Sequence, residues 1–147
     1  MKVGFTGTRA GLSVVQRKSL VRLINTIRGE VTEAHHGDCV GADVEFHDIC
    51  LVREILIVIH PPLQPFQRAC CVGYDFIREP KDYFDRDMDI VDETDLLIAC
   101  PKTSTPVPHS GTWLTAGYAR VTGKPIWFVY PDGTVVPYKR GGNVLAT

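Results

Sequence analysis

The segment Ile55–Ile59 reads ILIVI, five apolar residues without a break. A strand with one wet face alternates polar and apolar residues, so a run this uniform suits a sheet covered on both faces, as parallel sheets are. Four other segments have strand character: Lys2–Thr6, Thr32–His36, Asp95–Cys100 and Ile126–Tyr130. Helical patterns lie between them. Ser13 reads as an N-cap, with Gln16 completing a capping box, and Leu20, Leu23, Ile24 and Ile27 follow at helical spacing up to Gly29. Gly41–Val52 is a second helix, with Val44, Ile49 and Leu51 among its apolar positions. Asp82–Glu93 is a third, with Phe84, Met88 and Val91 on one face. Gly111–Thr122 is a fourth, with Leu114, Tyr118 and Val121 at helical spacing. Strand–helix alternation of this kind predicts an α/β fold: a doubly wound, mainly parallel five-stranded sheet with helices on both faces.

The 147 residues suggest one domain over 1–147. Two segments resist assignment. Leu63–Pro80, with its prolines, adjacent cysteines and Gly73, reads as a long excursion, and Pro131–Asp132–Gly133 as a turn leading into a polar C-terminal tail over 131–147. The net charge of −1 argues against a nucleic-acid or membrane surface that works by bulk electrostatics, but leaves room for a small anionic ligand. Five cysteines, an odd number with no C-x-x-C and with Cys70 beside Cys71, make a poor disulfide or zinc framework and suit a reducing cytosol. The apolar run at the N-terminus is too short for a signal peptide, and no stretch reaches the ~20 apolar residues of a membrane span. A cytoplasmic protein is expected.

In a doubly wound sheet, ligands bind at the carboxyl ends of the strands. Gly7–Thr8–Arg9 follows the first strand, Gly37–Asp38 and Gly41–Asp43 the second, His60–Pro61–Pro62 the third, and Ser110–Gly111–Thr112 lies beyond the fourth. Glycines let a ligand approach the backbone, free N–H groups at a helix start hold anions, and Arg9 offers a charged fork. Each feature also has a structural explanation. Ser110 serves equally well as a plain N-cap. Asp38 and Asp43 complement a helix dipole. Arg86 has Asp82 four residues before it and Asp89 three after, so it suits a surface pair as well as a ligand. His35, His47 and His109 read as ordinary polar residues. His36, Asp38, Cys39 and Asp43 match no metal-binding spacing, so neither a metal nor a cofactor is expected.

Four stretches together, FTGTR (5–9), HHGDCVGAD (35–43), RDMDIVDETDLLIAC (86–100) and SGTWLTAGYARVTGKP (110–125), resemble the SLOG superfamily, the Rossmann-like group that joins DprA-type and LOG-type proteins. The resemblance runs from Lys2 to about Tyr130 and is nearest to the small stand-alone members. It implies a Rossmann-like domain with a nucleotide or nucleotide-derived ligand. Gly111 and Thr112, with Ser110, would hold its phosphate. Gly7, Thr8 and Arg9 would flank that phosphate. Gly37, Asp38, Gly41 and Asp43 would line the sugar or base side. Arg86 and Thr115 complete the candidate set. The resemblance also implies a homo-oligomer, for which Trp113 and the tail from Pro131 are candidate contacts.

LOG enzymes cleave the N-glycosidic bond of nucleoside 5′-monophosphates and carry P-G-G-x-G-T-x-x-E. Here Gly111–Thr112 matches the Gly-Thr, Pro108–His109 stands where the Gly-Gly would be, and Thr115 stands where the glutamate would be. Three functions stay open: a nucleotide-binding protein that senses, carries or sequesters its ligand; an N-glycosidase or phosphoribohydrolase using Asp38 or Asp43 as its carboxylate, with Asp89 a further substitute; and a structural domain with no ligand.

Overall fold

The structure is a computed structural model, described for residues 1–139. Seven strands form one sheet: β1 (Lys2–Gly7), β2 (Glu33–His36), β3 (Leu56–Ile59), β4 (Phe76–Ile77), β5 (Leu96–Cys100), β6 (Ile126–Val129) and β7 (Val135–Tyr138). Their order is β4-β3-β2-β1-β5-β6-β7. Every neighbouring pair is parallel except β6 and β7. The helices are α1 (Val14–Ile27), α2 (Ala42–Val52), α3 (Tyr83–Asp92) and α4 (Gly111–Val121). The chain steps outward from β1 to β4, then crosses back to lay β5 on the other side of β1. Strand order therefore reverses between β1 and β5.

Two apolar clusters sandwich the sheet. On one face, Leu20, Leu23 and Ile24 of α1 and Phe46 and Ile49 of α2 pack on Phe5, Ile57, Ile59 and Ile98. The Phe5 and Phe46 rings stack with centroids 4.3 Å apart. On the other face, Val91 of α3 and Ala116 and Ala119 of α4 meet Leu97, Ala99, Ile126 and Phe128. The expected α/β class holds, with helices on both faces. Among the described residues no helix is long and apolar enough to cross a membrane.

The sheet has two strands more than the five expected. β4 is a two-residue strand inside the Leu63–Pro80 excursion, with Phe76 paired to Val58 and Ile77 to Ile59. So short a strand has no periodicity to read. β7 lies in the segment expected as tail, folding back antiparallel on β6 after the Pro131–Gly133 turn. Its Pro137 is tolerated because β7 is an edge strand. The remainder of the expected tail, 140–147, lies outside the described residues.

The α1 start matches the sequence pattern in detail. Ser13 Oγ accepts from the Gln16 N–H at 3.1 Å, and Gln16 Oε1 accepts from the Ser13 N–H at 3.2 Å. Gln16 does more than cap. It is buried, and its Nε2 donates to the carbonyls of Pro101 (2.9 Å) and Val129 (2.8 Å), tying α1 to the ends of β5 and β6. Two helices face inward differently from their apolar spacing. In α4, Leu114 and Val121 are exposed, and the buried stripe is Thr112, Thr115, Ala116 and Ala119. In α3, Phe84 is exposed, and the buried positions are Arg86, Ile90 and Val91.

Candidate functional site

A cavity of about 320 Å³ opens at the carboxyl edge of the sheet, where strand order reverses between β1 and β5. It sits where a doubly wound sheet places ligands. Nine of the twelve sequence-selected residues line it: Gly7, Thr8, Arg9, Gly37, Asp43, Arg86, Ser110, Gly111 and Thr112. Asp38, Gly41 and Thr115 do not.

The β1 end forms one wall. A Cβ on Gly7 would come within 2.6 Å of the Ala42 Cβ, so only glycine lets the start of α2 close on the strand. The Thr8 N–H donates to the Cys100 carbonyl (3.1 Å), and the Thr8 carbonyl accepts from the Ala42 N–H (3.0 Å). Thr8 Oγ1 accepts from the Ala10 N–H at 3.1 Å, leaving its own proton free to donate. Arg9 is exposed and lies over the Tyr83 ring, 4.6 Å from its centroid.

The start of α4 forms the opposite wall. Ser110 is the N-cap, its Oγ accepting from the Trp113 N–H at 3.3 Å, and its carbonyl accepts from the Leu114 N–H at 2.9 Å. Those bonds use the N–H groups of the third and fourth helical residues. The N–H groups of Gly111 and Thr112 have no protein acceptor among the described residues. Ser110 is thus a cap and a cavity-lining residue at once. The approach loop adds Lys102, Thr103 and His109, the last in the left-handed region at φ 62°. Trp113 stacks on Phe128 at 5.6 Å and donates from Nε1 to Thr103 Oγ1 at 3.2 Å, so its indole is packed within its own chain.

The floor is ionic. Arg86 is buried; its Nη1 donates to the carbonyls of Gly37 and His60 (3.1 Å to the latter), at the ends of β2 and β3. Its Nε lies 2.7 Å from Asp87 Oδ1. The surface pairing suggested by Asp82 and Asp89 does not form: Asp89 pairs with Lys81, and Asp82 accepts from Gln64. Asp43 accepts from the Cys39 N–H at 3.1 Å. Burial pushes the Asp43 carboxyl up to about 7, with the Arg86 charge and the Cys39 N–H pulling the other way and Asp87 and Asp38 adding to the rise. Burial also raises Asp87, against the pull of Arg86 and of the Thr115 hydroxyl beside it.

The three remaining selected residues support the site from outside. Asp38 is fully buried at φ 52°, and its carboxylate accepts from Arg68 Nε (3.1 Å) and the Cys71 N–H (2.9 Å). It anchors the 63–80 excursion and turns its oxygens away from the cavity. Gly41, at φ 93°, caps α2 where any Cβ would strike the Arg9 backbone. Thr115 is buried, and its hydroxyl donates to the Gly111 carbonyl at 2.7 Å.

Tyr83, Asp87, Lys102 and Thr103 carry no motif in the sequence, and His109 reads there as an ordinary polar residue, although all five line the cavity. Asp87 was hidden in the acidic run DRDMDIVDETD, which reads as a solvated face. Polarity alone does not show how deeply the histidines lie. His35, His36, His47 and His60 are all buried. The Asp38 N–H donates to His36 Nδ1 (3.0 Å), so the His36 proton sits on Nε2 and is given to His47 Nδ1 (2.8 Å). His47 Nε2 in turn donates to the Val72 carbonyl (2.6 Å). With Cys71 these two histidines have the proximity of a metal cluster, yet the nitrogen of His36 that faces it carries the proton. In a second group, His35 Nδ1 meets His60 Nε2 at 2.9 Å and His35 Nε2 meets Glu33 at 2.8 Å. Among the described residues His60 Nδ1 then has no hydrogen-bond partner, with Glu93 3.7 Å away. All five cysteines are free.

No protein-family model matches the chain, and no curated protein matches it in sequence. Solved structures do share its fold. The molybdenum cofactor binding protein from the phototrophic bacterium Rippkaea orientalis superposes with a TM-score of 0.68 at 19% identity, over 88% of this chain and 76% of that one. TM1055, a structural genomics target, gives 0.61 at 15% identity, over 85% and 71%. DNA processing protein A from Helicobacter pylori, described in a single-stranded DNA binding mode, gives 0.61 at 16%, over 87% and 64%. At these identities the likeness is one of fold.

Proposed function

We propose that this protein is a small SLOG-type domain that binds a nucleotide or nucleotide-derived ligand, with the ligand's phosphate at the start of α4. The observation that carries the reading is the convergence of two free N–H groups, from Gly111 and Thr112, with Arg9, Lys102 and the Thr8 and Thr112 hydroxyls on one cavity. Helix starts and exposed cations of this kind suit a phosphate. The cavity volume lies at the low end of ligand pockets, which run roughly 300–1,000 Å³. That suits a phosphate and its sugar better than a dinucleotide. The protein's role in this reading is that of a sensor, carrier or sequestering module.

A second reading has one observation in its favour. Asp43 lines the cavity with a carboxyl at about 7, a value suited to a general acid near neutral pH. An N-glycosidase acting on a nucleoside 5′-monophosphate would use it in place of the glutamate absent at Thr115. Asp38 does not serve that reading, since its carboxylate is committed to Arg68 and Cys71.

Thermal-shift screening against nucleoside monophosphates, cyclic nucleotides and ADP-ribose derivatives tests the binding reading. A ligand at 100 times its dissociation constant adds about 2.7 kcal/mol of stability. Thr112→Val should abolish the shift while leaving the unliganded melting temperature nearly unchanged. No shift with any compound removes the reading. A response to single-stranded oligonucleotides alone would replace it with nucleic-acid binding. Release of free base from a monophosphate would establish the glycosidase. We further propose a cytoplasmic homo-oligomer, tested by light scattering.

A further inference from the structure

We propose that Asp87 makes the cavity selective for a phosphorylated sugar with vicinal hydroxyl groups, so that a ribose 5-phosphate unit is accepted and its 2-deoxy form is refused. This rests on the phosphate reading of the α4 start.

The cavity holds a carboxylate among its cations. Arg9, Lys102 and the free amides of α4 favour an anion, yet a carboxylate, Asp87, lines the same cavity. Its charge is offset by Arg86, and the lone pairs left over call for hydrogen-bond donors on a part of the ligand other than the phosphate. Its position says which part. The Thr115 hydroxyl lies beside Asp87 and is bonded to the Gly111 carbonyl at 2.7 Å. Asp87 therefore lies beside the first turn of α4, on the same cavity as the Gly111 and Thr112 amides. A ligand whose phosphate meets those amides brings the hydroxyls of its own sugar toward this carboxylate.

The carboxylate is also held in place. Arg86 Nε lies 2.7 Å from Oδ1, and Arg86 is itself fixed by the Gly37 and His60 carbonyls. A fixed, charged acceptor takes two adjacent hydroxyls, as an acidic residue does with ribose in dinucleotide-binding sheets. A ligand lacking one hydroxyl leaves that acceptor partly unpaired, and sites built to bond a hydroxyl refuse analogues without it. A divalent cation bridging Asp87 and the phosphate is the competing role for the carboxylate. The Arg86 guanidinium already fills the cationic position against it.

The test needs no knowledge of the base. Dissociation constants for ribose 5-phosphate, 2-deoxyribose 5-phosphate and inorganic phosphate are measured by calorimetry in EDTA and again with Mg²⁺. The parent protein should prefer ribose 5-phosphate at least tenfold, without Mg²⁺. Asp87→Ala should bring the two sugars to within about twofold while inorganic phosphate binds as well or better. Asp87→Asn, which keeps the shape, should narrow the preference too, and serves if the alanine variant does not fold. Equal affinity for the two sugars in the parent protein, a preference that survives both substitutions, or binding that requires Mg²⁺ each overturns the proposal. So does failure of both sugars to bind. In that case the inorganic phosphate arm, repeated with Thr112→Val, shows whether the phosphate reading fails with it.

Discussion

The Arg86 guanidinium occupies the space that a side chain on Gly37 would need, and it donates to the carbonyl of that same glycine. One residue at the end of β2 thus supplies both the room and the acceptor for the buried charge of α3. Gly37→Ala should displace Arg86 and cost about 1–3 kcal/mol, the range for overpacking a closed interior. Urea denaturation of the two proteins measures it; a loss under 0.5 kcal/mol, roughly the scatter of surface changes, would mean that Arg86 swings aside freely.

Gln16 is expected to matter more than the cap it helps to form. Ser13→Ala removes one side-chain acceptor and should cost about 1 kcal/mol. Gln16→Ala also strips the donor from two carbonyls, those of Pro101 and Val129. Each deprived buried group costs about 1–3 kcal/mol. The glutamine variant should therefore unfold at clearly lower urea concentration than the serine variant. Equal midpoints would show that water replaces the lost donors.

Acid should unfold this protein through its histidines. Burial first, then His35 and the Arg78, Arg86 and Lys81 charges, lowers His60 to about 3; burial likewise holds His36 well below its ordinary value. A base whose folded value is depressed binds its proton better when unfolded. The stability it contributes is present above the unfolded value near 6.5 and is lost as pH falls below it, at about 1.4 kcal/mol per unit per group. Stability at pH 5 should fall short of that at pH 7, and His60→Gln should narrow the gap. An unchanged gap would assign the acid loss to other groups.

Asp43 acts in the opposite direction. Its folded value, about 7, lies above its unfolded one, so its favourable contribution is present at pH 4 and lost as pH rises through 7. Asp43→Asn should leave stability at pH 4 nearly unchanged and raise it at pH 8. Chemical denaturation at the two pH values decides. A variant less stable than the parent at pH 8 would show that pairing with Arg86 outweighs the burial of the charge.

Much of this molecule was legible as a string of residues. Apolar runs set β3, β5 and β6, a short β-rich run set β1, and the Ser13–Gln16 pair set the start of α1, because local chemistry alone decides such features. The pattern also put the candidate residues at the strand ends, since a parallel sheet leaves few other places for glycines and hydroxyls to gather. It failed where a role depends on what lies across the chain. β4 and β7 exist only because β3 and β6 offer open edges to pair with. The inner stripe of α4 is threonine and alanine, since the helix lies close on the sheet, while its leucine and valine face out. Arg86 reads equally well as a surface pair or a ligand, Asp87 as part of a solvated face, and His35 and His47 as ordinary polar residues, because sequence shows their polarity but not their burial. Whether a charge is solvated or sealed in depends on long-range packing. That packing, by closing α3 over the ends of β2 and β3, turned an acidic helix into the floor of a cavity.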